Sequence, residues 1–281
     1  MTIHTTVPGA GNPSHGGHGP LPLFLKAMRD SSIGLLGWTL GHVGAILLYL
    51  PFYPSIGGNQ EMQSFFTDFP PEVVTLFGLD QLYSGAAYTQ ATYYGLTAFL
   101  LLAIAAVSWG AAAIAGDEES GALELTVAHG VTRTQVVLER WLALLVRVLI
   151  VVGVAGLLIW LLDDSAQLAI TGTGLVGVSA ALLGLALLVG TVTLAVGAAT
   201  GRRSAATAAG AGVAVLAYVL DAVSKTADQP WLATISPYSW AFGASPITTG
   251  LDWQGLLLLF GGSAALLAFA VVAFRRRDIG A

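Results

Sequence analysis

The sequence predicts an all-α, polytopic membrane protein with six transmembrane helices, and three observations carry the prediction. The 281-residue chain is 55% hydrophobic, only 10% charged, and has a mean hydropathy of +0.76. Several apolar runs reach about 18 residues or more, enough at about 1.5 Å per residue to cross a hydrocarbon core about 30 Å thick. These runs are continuous, whereas the strands of a membrane barrel alternate apolar and polar residues over about ten positions.

The elements follow in chain order. Residues 1–19 read as a disordered Gly/His-rich tail; its HGGHG stretch (His15, His18) and His4 are metal-ligating residue types, but a flexible tail is the simpler reading. No short apolar core with a cleavage site precedes the first span, so that span is expected to stay in the mature protein. Residues 20–281 form a single transmembrane domain. At its start, PLPLFLKAMRDSS sets Leu21, Leu23, Phe24, Leu25 and Met28 beside Lys26, Arg29 and Asp30. That pattern suits a short amphipathic helix on the cytoplasmic face, with a plain extension of the first span as the alternative.

Spans are expected at about 33–52, 89–115, 135–162, 172–200, 204–224 and 253–274, with outer loops at about 54–88 and 225–252. The first outer loop carries Glu61, Asp68, Glu72 and Asp80 and apolar groups suited to short interfacial helices. The second carries proline and aromatic residues that suit a structured cap. Small residues dominate the fourth and fifth spans, and Gly37 and Gly41 repeat the spacing in the first, so helix backbones are expected to approach closely.

Orientation follows from the basic residues. With both termini inside, the cytoplasmic side receives Lys26, Arg29, Arg133, Arg140, Arg202, Arg203, Arg275, Arg276 and Arg277, and the outer side only Lys225. Tyr49, Phe52, Tyr53, Tyr93, Tyr94, Trp160 and Trp253 fall near the outer ends, where amphipathic rings settle. The expected location is the plasma (inner) membrane, multi-pass.

Several chemistries are excluded. The chain has no cysteine and therefore no disulfide or thiolate chemistry. Its basic residues form no continuous stripe for a nucleic acid. There is no P-loop, no HExxH and no G-x-S-x-G, so neither ATP hydrolysis by a P-loop nor a hydrolase is supported.

Ionisable residues within spans are functional candidates by default. His42 in the first span either lines a polar cavity or bonds to a neighbouring helix. Arg140 and Arg147 share one helical face, about 10 Å apart. Arg140 is expected to snorkel to the inner interface; Arg147, deeper, needs an acidic or carbonyl partner, and a structural ion pair is favoured over substrate binding. Asp221 reads as a solvated boundary residue.

The stretch AGDEESGALELTVAHGVTRTQVVLERW, residues 115–141, is an island of charge. DEES is able to start a helix, with Ser120 as N-cap and the acids opposing the helix dipole. Gly130 is placed to end that helix, and Thr132 with Gln135 has the capping-box spacing for a second one from about Arg133. The expectation is a short coupling helix at about 120–130, lying crosswise between spans two and three.

EESGALEL and GVTR resemble the E-E-x-x-G-T-L-E-L-L-L-x-x-P-V-S-R signature of ABC type 2 permeases, the exporter-type membrane subunits of ATP-driven ABC transporters. Glu118, Glu119, Gly121, Leu123, Glu124, Leu125, Val131 and Arg133 match, with Thr132 standing for Ser. The LKAMRDSSIGLLGW and FRRRDI stretches are similar to the family's amphipathic helix with its first span and to its C-terminal end, so the likeness covers most of the chain. It implies that these residues couple to a separate cytoplasmic ABC ATPase subunit, present in two copies, with ATP and Mg on that subunit and no cofactor on this chain. It also implies a second permease subunit, in a homodimer or heterodimer, around a translocation path. Gly130 replaces the family's proline, and Thr126 and Val127 replace leucines, which loosens the turn and thins the docking surface. Nothing matches the E-A-A-x3-G loop of type I importers, which favours export. A non-transporting membrane anchor or sensor, and an ion-coupled carrier using His42 and Arg147, are the alternatives.

Overall fold

A computed structural model of the chain describes residues 21–57, 84–121, 131–227 and 229–277. The expected tail, most of the first outer loop and the body of the expected coupling helix, with Leu123, Glu124, Leu125 and Gly130, lie outside the described residues. The described residues are helical and contain no strand. Helix α1 spans Pro22–Asp30. Among the described residues six further helices are long and apolar enough to cross a membrane: α2 (Ser32–Ser55), α3 (Gly85–Glu119), α4 (Arg133–Leu162), α5 (Gly172–Thr200), α6 (Arg203–Thr226) and α10 (Trp253–Arg276). Between α6 and α10 lie three short helices, α7 (Pro230–Ile235), α8 (Pro237–Phe242) and α9 (Pro246–Thr249).

Local sequence sets the helix ends. Ser84, Thr132, Thr171 and Asp252 stand before α3, α4, α5 and α10, and each side chain accepts a backbone N–H of the first turn, removing one of the donors that a helix start leaves unsatisfied. Only half of the expected capping box forms at α4. Thr132 Oγ1 accepts from the Gln135 N–H at 3.2 Å, but the Gln135 side chain turns away and donates to Glu139 Oε1 at 2.6 Å.

Helix α5 is the centre of the bundle and packs against α3, α4, α6 and α10. Most of α3 and α5 is buried, whereas α2, α6 and α10 expose most of their surface, including Ile33, Leu36, Leu216 and Leu257. In an aqueous protein those side chains would be a liability; against lipid tails they are solvated. Small residues let α5 hold this place. At Gly110 in α3, a Cβ would lie 2.6 Å from the Gly190 carbonyl oxygen and 2.9 Å from Thr193 Cβ, so only glycine permits the observed α3–α5 approach. Gly110→Val is expected to cost about 2 kcal/mol or more through overpacking. A thermal melt of the purified chain in detergent checks this, and an unshifted midpoint would contradict the close approach.

At the end of the bundle away from the arginine clusters, α7 to α9 form a cap. Ser236 Oγ donates to the Ala217 carbonyl at 2.6 Å and accepts from the Ser239 N–H, and the Tyr238 hydroxyl donates to the Gly95 carbonyl at 2.8 Å. Gly95 lies in a π-helical stretch of α3, Gln90–Ala98, whose wider turn departs from the ordinary carbonyl register. Burial, with the Asp221 carboxylate and Tyr218 close by, pushes the Tyr238 phenol above its ordinary value, which keeps it a donor. Asp221 corrects a sequence expectation: it is buried, not solvated. It pairs with Lys225 Nζ at 2.8 Å and accepts from Ser239 Oγ at 2.7 Å, which ties the cap to α6.

Candidate functional site

The arginine-rich end of the bundle concentrates the polar chemistry, above an apolar floor that includes Ile114, Val137, Leu194, Ala198 and Phe274. Asp117, Glu118 and Glu119 close helix α3, with Ser120 as its C-cap residue and Gly121 beyond it at φ 73°. The Ser120 N–H donates to the Gly116 carbonyl at 3.2 Å and the Gly121 N–H to the Glu118 carbonyl at 3.0 Å, the wrapping expected where glycine takes the left-handed conformation. This corrects the expectation that these acids begin a helix.

Three carboxylates at a helix C-terminus oppose the negative end of the helix dipole. The arrangement is held because each acid reaches a positive partner on a different element. Asp117 pairs with Arg140 of α4, and Glu118 pairs with Arg277 just past α10. Glu119 Oε1 accepts the backbone N–H of Arg203 at 2.8 Å, in the first turn of α6. Helix α6 has no side-chain cap of its own, so Glu119 caps it from another helix.

Arg133 adds a fourth tie. Its guanidinium donates to the carbonyl of Phe274 at 3.1 Å and to that of Arg277, and it lies 6.0 Å from the centroid of the Phe274 ring. An arginine at the start of α4 thus satisfies carbonyls at the end of α10. Gly201, at φ 67° after α5, sits against the Glu118–Arg277 pair. A Cβ there would lie 2.8 Å from both Glu118 oxygens, so the position excludes side chains by conformation and by space. The end of α3 is therefore a hub joined directly to α4, α6 and the end of α10, with the α5 terminus packed beside it.

The matching residues of the expected coupling motif separate into two groups. Glu118, Glu119 and Arg133 belong to the hub. Gly121 ends α3, Val131 packs on the apolar floor and Thr132 caps α4. Leu123, Glu124 and Leu125 lie outside the described residues.

Arg140 is buried at 8% exposure and does not snorkel free, because Asp117 reaches it from α3. Arg147 donates to the Ala27 carbonyl at 2.6 Å and lies 5.8 Å from the centroid of the Trp109 ring. The expected ion pair is absent among the described residues; a carbonyl and an aromatic face take its place. His42 Nδ1 meets the Tyr93 hydroxyl at 3.0 Å, a bond between α2 and α3, and its Nε2 has no partner among the described residues.

Glu139 and the partner of Arg277 are not among the sequence-predicted site features. Glu139 is 2% exposed and accepts the Phe24 N–H at 2.9 Å. The signal for Glu139 is an acid one turn inside an apolar span. Arg277 reads from sequence only as a topological charge, since nothing local announces a partner 159 residues away.

A family model described as ABC-2 family transporter protein matches residues 21–279, which is nearly all of the domain described above. No curated protein matches the chain significantly.

Proposed function

The chain belongs to the ABC-2 transporter family and is a membrane permease component of an ABC transporter; from this premise we propose that it forms half of the translocation path of an exporter and is driven by a separate cytoplasmic ATPase subunit. The arginine-rich end faces the cytoplasm of the plasma (inner) membrane, with both termini inside, as the distribution of basic residues favours. Two ATPase subunits, carrying ATP and Mg, act on a pair of permeases.

The observation that carries the reading is the hub at the end of α3. The chain from Gly121 to Val131 joins α3 to α4, and both of its anchors are tied to other helices: Asp117 to α4, Glu119 to α6, Glu118 and Arg133 to the end of α10. A push on that connection would therefore reach four spanning helices together. Coupling needs two states of the bundle that ATPase contacts bias differently, and a jointly tied end is suited to switching between them as a unit.

Co-purification and hydrolysis test the proposal. The tagged chain, co-expressed with its cognate ABC ATPase, is expected to bring the ATPase with it, and proteoliposomes holding both are expected to hydrolyse ATP faster than the ATPase alone. A chain that purifies alone, or that leaves hydrolysis unchanged, contradicts the reading and favours an anchor or an ion-coupled carrier.

A further inference from the structure

Helix α4 carries two buried, opposite charges whose partners are the two ends of another helix. Glu139 is 2% and Arg147 6% exposed. They stand eight residues apart, about 12 Å along the axis, which separates them too widely for a mutual ion pair. Among the described residues neither forms an ion pair with anything else.

Glu139 Oε2 instead accepts the backbone N–H of Phe24, in the first turn of α1, while its other oxygen accepts from Gln135. Arg147 Nη2 donates to the carbonyl of Ala27, in the last turn of α1. The two groups contacted, the Phe24 N–H and the Ala27 carbonyl, are three residues apart in the nine-residue α1 and belong to its first and its last turn. Its positive N-terminal end meets the carboxylate and its negative C-terminal end meets the guanidinium. Helix α1 has no side-chain cap at Leu21 and no acid in its own first turn, so Glu139 supplies from outside what its sequence omits.

We propose that Glu139 and Arg147 are a positioning pair that holds α1 on α4 through the dipole of α1, so that the two helices move as one body. Each charge is costly away from water unless compensated, and the ends of α1 compensate both. Displacing α1 would take the Phe24 donor from Glu139 and the Ala27 acceptor from Arg147 at once, leaving them, among the described residues, only Gln135 and the Trp109 ring. Burial of Leu23 and Ala27 supplies the apolar part of the contact but does not fix which way α1 points. The pair also assigns Arg147 a role other than substrate binding. The consequence for transport, that α1 follows α4 when the bundle switches, rests on the function proposed above; the docking itself does not.

Because the chain contains no cysteine, two spin labels can be placed without background, at Lys26→Cys on α1 and at Leu149→Cys on α4, both exposed positions. The distance between them is read in the full-length chain in nanodiscs with no ATPase present. The unsubstituted charge pair is expected to give one narrow distance. Glu139→Gln and Arg147→Gln are each expected to broaden it, Arg147→Lys to keep it narrow, and the exchange Glu139→Arg/Arg147→Glu to broaden it most, since like signs then face both ends of α1. A narrow distance in the exchanged chain, or in both neutral variants, would overturn the proposal. Should the exchanged chain fail to fold, Glu139→Gln, which keeps the shape of the side chain, still separates charge from packing. A failure of the ATPase-driven reading would leave these distances unchanged.

Discussion

Replacing Arg140 with Met is expected to destabilise the purified chain by about 3 kcal/mol, the lower end of the range for breaking a buried ion pair. Asp117 would be left at the C-terminus of α3, where the helix dipole already disfavours a negative charge, without its counter-ion. Its side chain is 26% exposed, so water recovers part of the loss and the upper end of the range does not apply. The double variant Asp117→Asn/Arg140→Met is expected to regain more than half of the stability, because the orphaned charge is gone. Thermal or denaturant melts in detergent measure both. Equal losses in the single and double variants would mean that Arg140 contributes through packing and not through Asp117.

The second large effect concerns activity. Glu119→Arg removes the carboxylate that caps α6 and sets a cation against the positive end of that helix, beside Arg202 and Arg203. The lost cap alone is worth about 1 kcal/mol, and repulsion adds to it. ATP hydrolysis stimulated by the permease is expected to fall about tenfold or more, equivalent to about 1.4 kcal/mol in the coupling step. Glu119→Gln keeps an acceptor for the Arg203 N–H and is expected to retain most of the stimulation. Equal rates for Glu119→Arg and the unsubstituted chain would show that the α3–α6 tie plays no part in coupling.

The legible parts of this molecule were those set by one-dimensional patterns. Continuous apolar runs against a fixed bilayer thickness predict six helices, and six occur among the described residues. The cap at Thr132 could be read because capping is local, confined to a few residues. What sequence missed depends on partners distant in the chain. Asp117, Glu118 and Glu119 look like a helix start, since acids are favoured there. They stand instead at a helix end closed by Gly121, where Arg140, Arg277 and the α6 terminus meet them, and no window of sequence contains those meetings.

The same limit explains Arg147 and Asp221. A buried arginine calls for an acidic or a carbonyl partner; it is a carbonyl, at the end of a helix 120 residues away in the chain, that meets the need in place of the favoured ion pair. Asp221 looked solvated from its place near a helix end, but the cap helices fold back over it. In the coupling motif, sequence located Glu118, Glu119 and Arg133 without separating two roles. Side chains that tie helices together and side chains that would face a partner look alike in a linear pattern.

The central claim is that the connection between α3 and α4 is where a separate ATPase acts, and the natural absence of cysteine permits a direct measurement. Single cysteines at Ser120 and Thr132, both exposed and flanking that connection, are paired with cysteines in the cognate ATPase in intact membranes, with Thr248→Cys in the cap at the other end of the bundle as control. The account predicts disulfide crosslinks from positions 120 and 132 whose yield changes with ATP, and none from position 248. Absence of crosslinks at 120 and 132, or crosslinking only from 248, would contradict it.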